Sequence, residues 1–188
     1  MKQMFDRDYP VTSILLIITT IIFILMFASY GFQYEGLEAL YQFGAVHGST
    51  IQADPSQFWR VFSAIFIHIG LEHFVVNMLT LYFLGRQIET IFGSWKFLLL
   101  YLMSGVMGNI FVIYFSPDTL AAGASTSLFG LFSAVIVLRY TTRNYYIQQL
   151  GQSYISLLAV NLIMSFLPGI SLSGHLGGLV GGALGAVI

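Results

Sequence analysis

Apolar runs long enough to cross a bilayer follow one another along almost the whole chain, and they decide what it can fold into. A helix needs about 20 mainly apolar residues to span hydrocarbon, with a range of roughly 17–25. We read six crossings, at Val11–Tyr30, Leu71–Gln87, Trp95–Phe115, Ala122–Tyr140, Ser153–Leu167 and Leu172–Ile188, the fifth of them shorter than that range. The connections are short except for Gly31–Gly70. Only 8% of the 188 residues are charged, and the mean hydropathy is +0.83. Soluble domains carry roughly 25% charged residues. A water-facing surface cannot be made from so few charges, so the expected class is an all-α integral membrane protein, one domain over 1–188.

Composition excludes several functions. A net charge of -1 with no basic run argues against a nucleic-acid partner. The absence of cysteine removes disulfides, thiolate metal sites and thiol nucleophiles. The first apolar run lacks a small-residue cleavage site, so it reads as a retained span and not a signal peptide. Lys2, Arg7, Arg86, Lys96, Arg139 and Arg143 all fall on one side of the six-span layout, and Arg60 alone falls on the other. The positive-inside rule then predicts both termini in the cytoplasm and the long first loop outside. The termini carry almost no soluble extension, so no regulatory domain is expected. The chain stops at Ile188 without a polar flank, which reads as a truncated end.

With this topology, runs two, four and six all descend from the outer side. His73 and Asn77, Ser125, and His175 stand near their respective starts, at similar depth. Ser125 lies three to five residues in, roughly 5–8 Å at 1.5 Å per residue. A serine becomes nucleophilic beside a base, most often histidine, and an ionisable side chain inside a span is costly unless it has a role. No acid is available inside the bilayer, which predicts a Ser125–His175 dyad. Two glycine ridges, Gly174-Gly178-Gly182 and Gly177-Gly181-Gly185, would let the last helix pack backbone to backbone. His73 and Asn77 share a face and, with the Ser125 amide, could stabilise an oxyanion. Each feature also has a plain structural reading: hydroxyls as helix caps, histidines and glycines as packing. Zinc on His68, His73 and His175 is the rival chemistry, but the HExxH pattern is absent from His68-Ile69-Gly70-Leu71-Glu72-His73. No metal and no cofactor are expected.

Together these residues resemble the rhomboid family of intramembrane serine proteases. Trp59-Arg60 resembles the Trp-Arg pair of that family's first loop. The stretch from His68 through His73 to Asn77 resembles its second-span signature, Gly123-Ala124-Ser125 its Gly-x-Ser segment, and Gly174-His175-Leu176-Gly177-Gly178 its sixth-span histidine. The resemblance implies a six-helix bundle with a long, partly embedded first loop. It implies Ser125 as nucleophile, His175 as general base, and His73, Asn77 and the Ser125 amide as the oxyanion site. Trp59, Arg60, His68, Gly123, Gly130 and Gly178 would support them. Substrates would be single-span membrane proteins, cut in or near their spans with water from outside; the minimal six-span layout points to a bacterial plasma membrane. An inactive relative that binds or escorts membrane proteins is the alternative. One departure stands out: Thr126 follows Ser125 where the family usually has glycine. Thr126 is expected to be harmless if helical, its hydroxyl returning to a carbonyl one turn back. Pro168-Gly169-Ile170-Ser171 and Ser116-Pro117-Asp118 are the candidate covering segments.

Overall fold

The computed structural model describes residues 6–187, so Lys2 of the charge argument and Ile188 of the last run lie outside the described residues. Helix α1 spans Pro10–Tyr30 and starts on Pro10, whose fixed φ suits the first helical position. Its two faces invert the order of a soluble helix. Thr12, Ser13 and Thr19 are buried, whereas Ile14, Ile21 and Ile24 are 44–58% exposed. A helix with its polar stripe inward and isoleucines outward is at home in lipid.

The segment after α1 is not an open loop. It folds into α2 (Leu37–Phe43), a short strand β1 (Val46–His47), α3 (Gly48–Ala53), a 3-10 turn (Pro55–Trp59) and α4 (Arg60–Ser63). The chain then turns by 74° between Pro55–Phe66 and Gly70–Phe92. The latter opens as α5 (Gly70–Thr80), passes through a π-helical turn at Leu81–Gly85 and ends as α6 (Arg86–Phe92). Next come α7 (Ser94–Phe115), β2 (Leu120–Ala121), α8 (Ser125–Thr141), α9 (Tyr145–Met164) and α10 (Leu172–Gly185). Pro10–Gln33 and Ser94–Phe115 are each long and apolar enough to cross a membrane, and Gly70–Phe92 joins them when taken with its bent partner. The described chain is thus all-α, apart from one two-residue β pairing, with candidate membrane helices.

Two helices start well away from their apolar runs. α8 begins at Ser125, three residues after the run that starts at Ala122, because the strand β2 and Gly123, at φ +144°, keep the chain out of the helix until Ala124. α9 begins at Tyr145, eight residues before the run at Ser153. Asn144 caps it, its side chain accepting from the amides of Tyr146 (2.9 Å) and Ile147 (3.4 Å). Its first two turns carry Gln148, Gln149 and Gln152, which hydropathy alone reads as outside a span.

α7, α8 and α10 form the tight centre, and α9 packs on α8. The two glycine ridges of α10 face two different neighbours. A Cβ at Gly178 would strike the Thr126 carbonyl and one at Gly182 the Gly130 carbonyl, both on α8. A Cβ at Gly177 would meet Phe111 at 2.6 Å and one at Gly181 the Ser104 Cα at 2.9 Å, both on α7. Small residues here allow the backbones to touch. Glu89, 3% exposed, ties α6 back to α1: its carboxylate accepts from the amides of Val11 (3.0 Å) and Thr12 (2.9 Å) and from the hydroxyls of Thr12 and Ser94 (2.7 Å each). A negative group on the free N–H donors of a helix N-terminus is favourable for both charge and hydrogen bonding.

Candidate active site

Ser125 is the first residue of α8 and His175 sits in the first turn of α10. Because the α10 ridge touches the α8 backbone, the two side chains meet: Ser125 Oγ and His175 Nε2 are 2.9 Å apart. The His175 ring is 7% exposed and lies flat on Phe129, centroids 4.0 Å apart and planes at 10°. Its other nitrogen, Nδ1, is 2.6 Å from Ser165 Oγ at the end of α9. Sequence reasoning missed both neighbours. Phe129 was findable, since it stands four residues after Ser125 on the same helix face. Ser165 carried no signal, being one serine in an apolar run.

These residues border a cavity of about 620 Å³. His73, Asn77, Ser125, Thr126, Phe129 and His175 line it, with Asn161 and Met164 from α9 and Gly169–Ser171 beyond it. His73 approaches the segment before α8 closely. A Cβ on Gly123 would lie 2.6 Å from the imidazole Cε1, and Gly123 has φ +144°, so a side chain there is barred twice. Asn77 is buried and donates one side-chain N–H to its own helix, at the His73 carbonyl (2.8 Å), which leaves one more for a ligand. Being at a helix start, the Ser125 amide has no partner four residues back.

The supporting residues have separate tasks. Fully buried His68 accepts at Nε2 from the Ala124 amide (3.4 Å), and the Gly123 amide donates to the Ala64 carbonyl (2.9 Å). Both bonds tether the approach to Ser125. Arg60, 5% exposed, donates to the carbonyls of Tyr41 (2.5 Å) and Ala45 (3.3 Å) around the C-terminus of α2 and stacks over the Tyr41 ring at 3.9 Å. A cation suits that end of a helix. Trp59 is half exposed and covers Gly44, with Arg60 4.7 Å above its ring. The Trp59-Arg60 pair therefore holds the folded segment together and stands apart from the cavity. Gly130 admits the side chain of Ser104 and the Gly178 carbonyl.

Thr126 is helical, so its β-branch meets no backbone strain. Its methyl fits because neighbouring helices have glycine opposite: Gly108 on α7 and Gly174 on α10. The expected bond from its hydroxyl to a carbonyl one turn back is absent; Thr126 Oγ1 is buried without a partner among the described residues. The position one turn back lies before the helix, in extended chain. Of the two covering segments, Gly169–Ser171 borders the cavity, and Gly169 turns there with φ +83°. Ser116–Asp118 does not; it is fastened to α3, where the Ser49 hydroxyl donates to Asp118 (2.5 Å) and the Ser49 amide to the Pro117 carbonyl (2.9 Å). Among the described residues no three His, Cys, Asp or Glu side chains converge as a metal site.

Comparison with known proteins gives this geometry a family. The rhomboid domain family model matches residues 55–188. The chain is 37% identical over 150 residues to a protein named rhomboid protease GluP from Bacillus subtilis, covering 79% of this chain and 29% of that one. It is 29% identical over 184 residues to the putative rhomboid protease YdcA of the same organism, covering 97% of this chain and 89% of that one. It is also 28% identical over 126 residues to a protein named inactive RHOMBOID-like protein 8 from Arabidopsis thaliana, covering 66% of this chain and 36% of that one. This chain accordingly spans less than a third of GluP and most of YdcA. With the motifs, the apolar helices and the match over most of its length in agreement, this chain belongs to the rhomboid family of integral membrane proteins.

Proposed function

We propose that the chain is an intramembrane serine endopeptidase that cleaves single-span membrane proteins in or near their membrane segment. The observation that carries this reading is the 2.9 Å pair of Ser125 Oγ and His175 Nε2 beside a cavity large enough for a peptide segment. Ser125 gives its proton to His175 Nε2 as Oγ attacks the scissile carbonyl carbon. The resulting oxyanion takes hydrogen bonds from the Ser125 amide, His73 and Asn77. His175 returns the proton to the leaving amine, and the C–N bond breaks to leave an acyl ester on Ser125. Water then attacks that ester, His175 taking its proton and passing it back to Ser125 Oγ as the acid product leaves.

Water reaches the cavity from outside, past Gly169–Ser171, in a six-crossing layout with both termini cytoplasmic. Arg86, Lys96, Arg139 and Arg143 support that orientation. The folded segment 31–69 lies along the outer face, partly embedded, with Phe58, Trp59 and Phe62 half exposed toward the interface. The plasma membrane of a bacterium is the proposed location. The second reading is a protein that binds membrane partners without cutting them, since one relative is named inactive. Retention of both Ser125 and His175 in contact favours the protease. The test is cleavage of fluorogenic single-span substrates in proteoliposomes. Turnover that disappears in Ser125→Ala and in His175→Ala, with folding intact, is the expected result. Substrate binding with no turnover by the wild type would select the binder.

A further inference from the structure

We propose that Ser165 is a positioning residue that fixes the protonation pattern of His175, so that three side chains from three helices act in line: Ser165 on α9, His175 on α10 and Ser125 on α8. The proposal rests on the proteolytic reading above and adds a member to its machinery.

Ser165 is 2% exposed, and its hydroxyl has a single proton. In the proposed arrangement that proton goes to the Asn161 carbonyl one turn back, which lies within reach at 2.8 Å. Ser165 Oγ can then only accept from His175 Nδ1, 2.6 Å away, which requires Nδ1 to carry the ring's hydrogen. A neutral imidazole has one such hydrogen, so Nε2 is left with its lone pair aimed at Ser125 Oγ, 2.9 Å away. This is the tautomer a general base needs. In the opposite tautomer both Nε2–H and Ser125 O–H would be donors, and no proton could pass. The third group of a catalytic line sets tautomer and orientation. Here a neutral hydroxyl, its own proton committed to the main chain, does so where a carboxylate would be costly to bury. Phe129 stacks on the ring and fixes its plane; Ser165 fixes which nitrogen faces the nucleophile.

Ser165→Val and Ser165→Thr have nearly the same shape, and only the second keeps the hydroxyl. In proteoliposomes Ser165→Val should lower kcat roughly 10- to 100-fold with KM within about twofold, while Ser165→Thr should stay within about threefold of wild type. The direct readout is nitrogen-15 magnetic resonance of histidine-labelled protein in bilayers, with His175 assigned by loss of its signals in His175→Gln. At a pH where the ring is neutral, wild-type Nδ1 should show the protonated shift and Nε2 the unprotonated one. Ser165→Val should give a mixture of tautomers. Wild-type kcat in Ser165→Val overturns the proposal, and so does an Nε2-protonated ring in the wild type. The wild-type spectrum, assigned with His175→Gln, needs neither turnover nor a folded Ser165 variant, so it decides the matter even if both Ser165 variants misfold or the protein cleaves nothing. Absence of cleavage by the wild type, with the expected tautomer, would sink the proteolytic reading alone.

Discussion

At the scale of single residues, Thr126 is the most testable position. Its methyl is accommodated by Gly108 and Gly174, and its hydroxyl is buried without a partner among the described residues. A buried polar atom that makes no hydrogen bond is a cost, while the same volume in hydrocarbon is a gain. Thr126→Val should therefore raise stability by about 1 kcal/mol, read as a higher unfolding midpoint in detergent micelles. Thr126→Gly should do the reverse. It would set three glycines around one void and put a flexible residue inside a helix, a loss of about 2–3 kcal/mol. An increase in stability on Thr126→Gly would show that threonine is strained there. The polar residues at the site were legible because they are rare in such a chain. Ser125, His175, His73 and Asn77 stand out against an apolar background, and all four line one cavity. Phe129 and Ser165 did not stand out, since an aromatic ring and a small hydroxyl are ordinary in a membrane helix. Only proximity in space gives them meaning.

At the scale of elements, the contact of α8 with α10 is the feature most open to attack. Gly182 abuts the Gly130 carbonyl, and main chain cannot yield as a side-chain tip can. Gly182→Ala should destabilise by about 3 kcal/mol, the upper end of overpacking costs, and should separate Ser125 from His175. Leu184→Ala on the outer face, at 55% exposed, should change stability by under about 0.5 kcal/mol. Equal unfolding midpoints for the two variants would refute the ridge contact. Both ridges were legible as a four-residue spacing of glycines, though not that each faces a different helix. Strongly apolar helices were legible too, and α1 and α7 begin within a residue of their apolar runs. The polar start of α9 was not, because hydropathy reports the lipid boundary, whereas a helix continues past it to its cap at Asn144. The short helices of 37–63 were equally hidden. Their order comes from distant bonds such as Arg60 to the end of α2 and Asn109 to the Val61 carbonyl (2.8 Å).

For the whole molecule, orientation in the bilayer is the property to measure, and the chain offers a simple means because it has no cysteine. Single cysteines at the exposed positions Glu38 and Asp118 should react with an impermeant maleimide on intact cells. A cysteine at exposed Arg143 should react only after permeabilisation. The opposite pattern would invert the proposed topology and move the cavity mouth to the cytoplasmic side. The Glu89 cap adds a matter of timing. The carboxylate that accepts from the Val11 amide lies 78 residues further along the chain. At roughly 5–20 residues per second of synthesis, it emerges about 4–16 s after Val11. Through that interval the leading end of α1 has only headgroups and water for its open amides. The contact that closes the start of α1 is therefore made only after Glu89 has been synthesised, so α1 is complete as a segment of chain before its own end is capped.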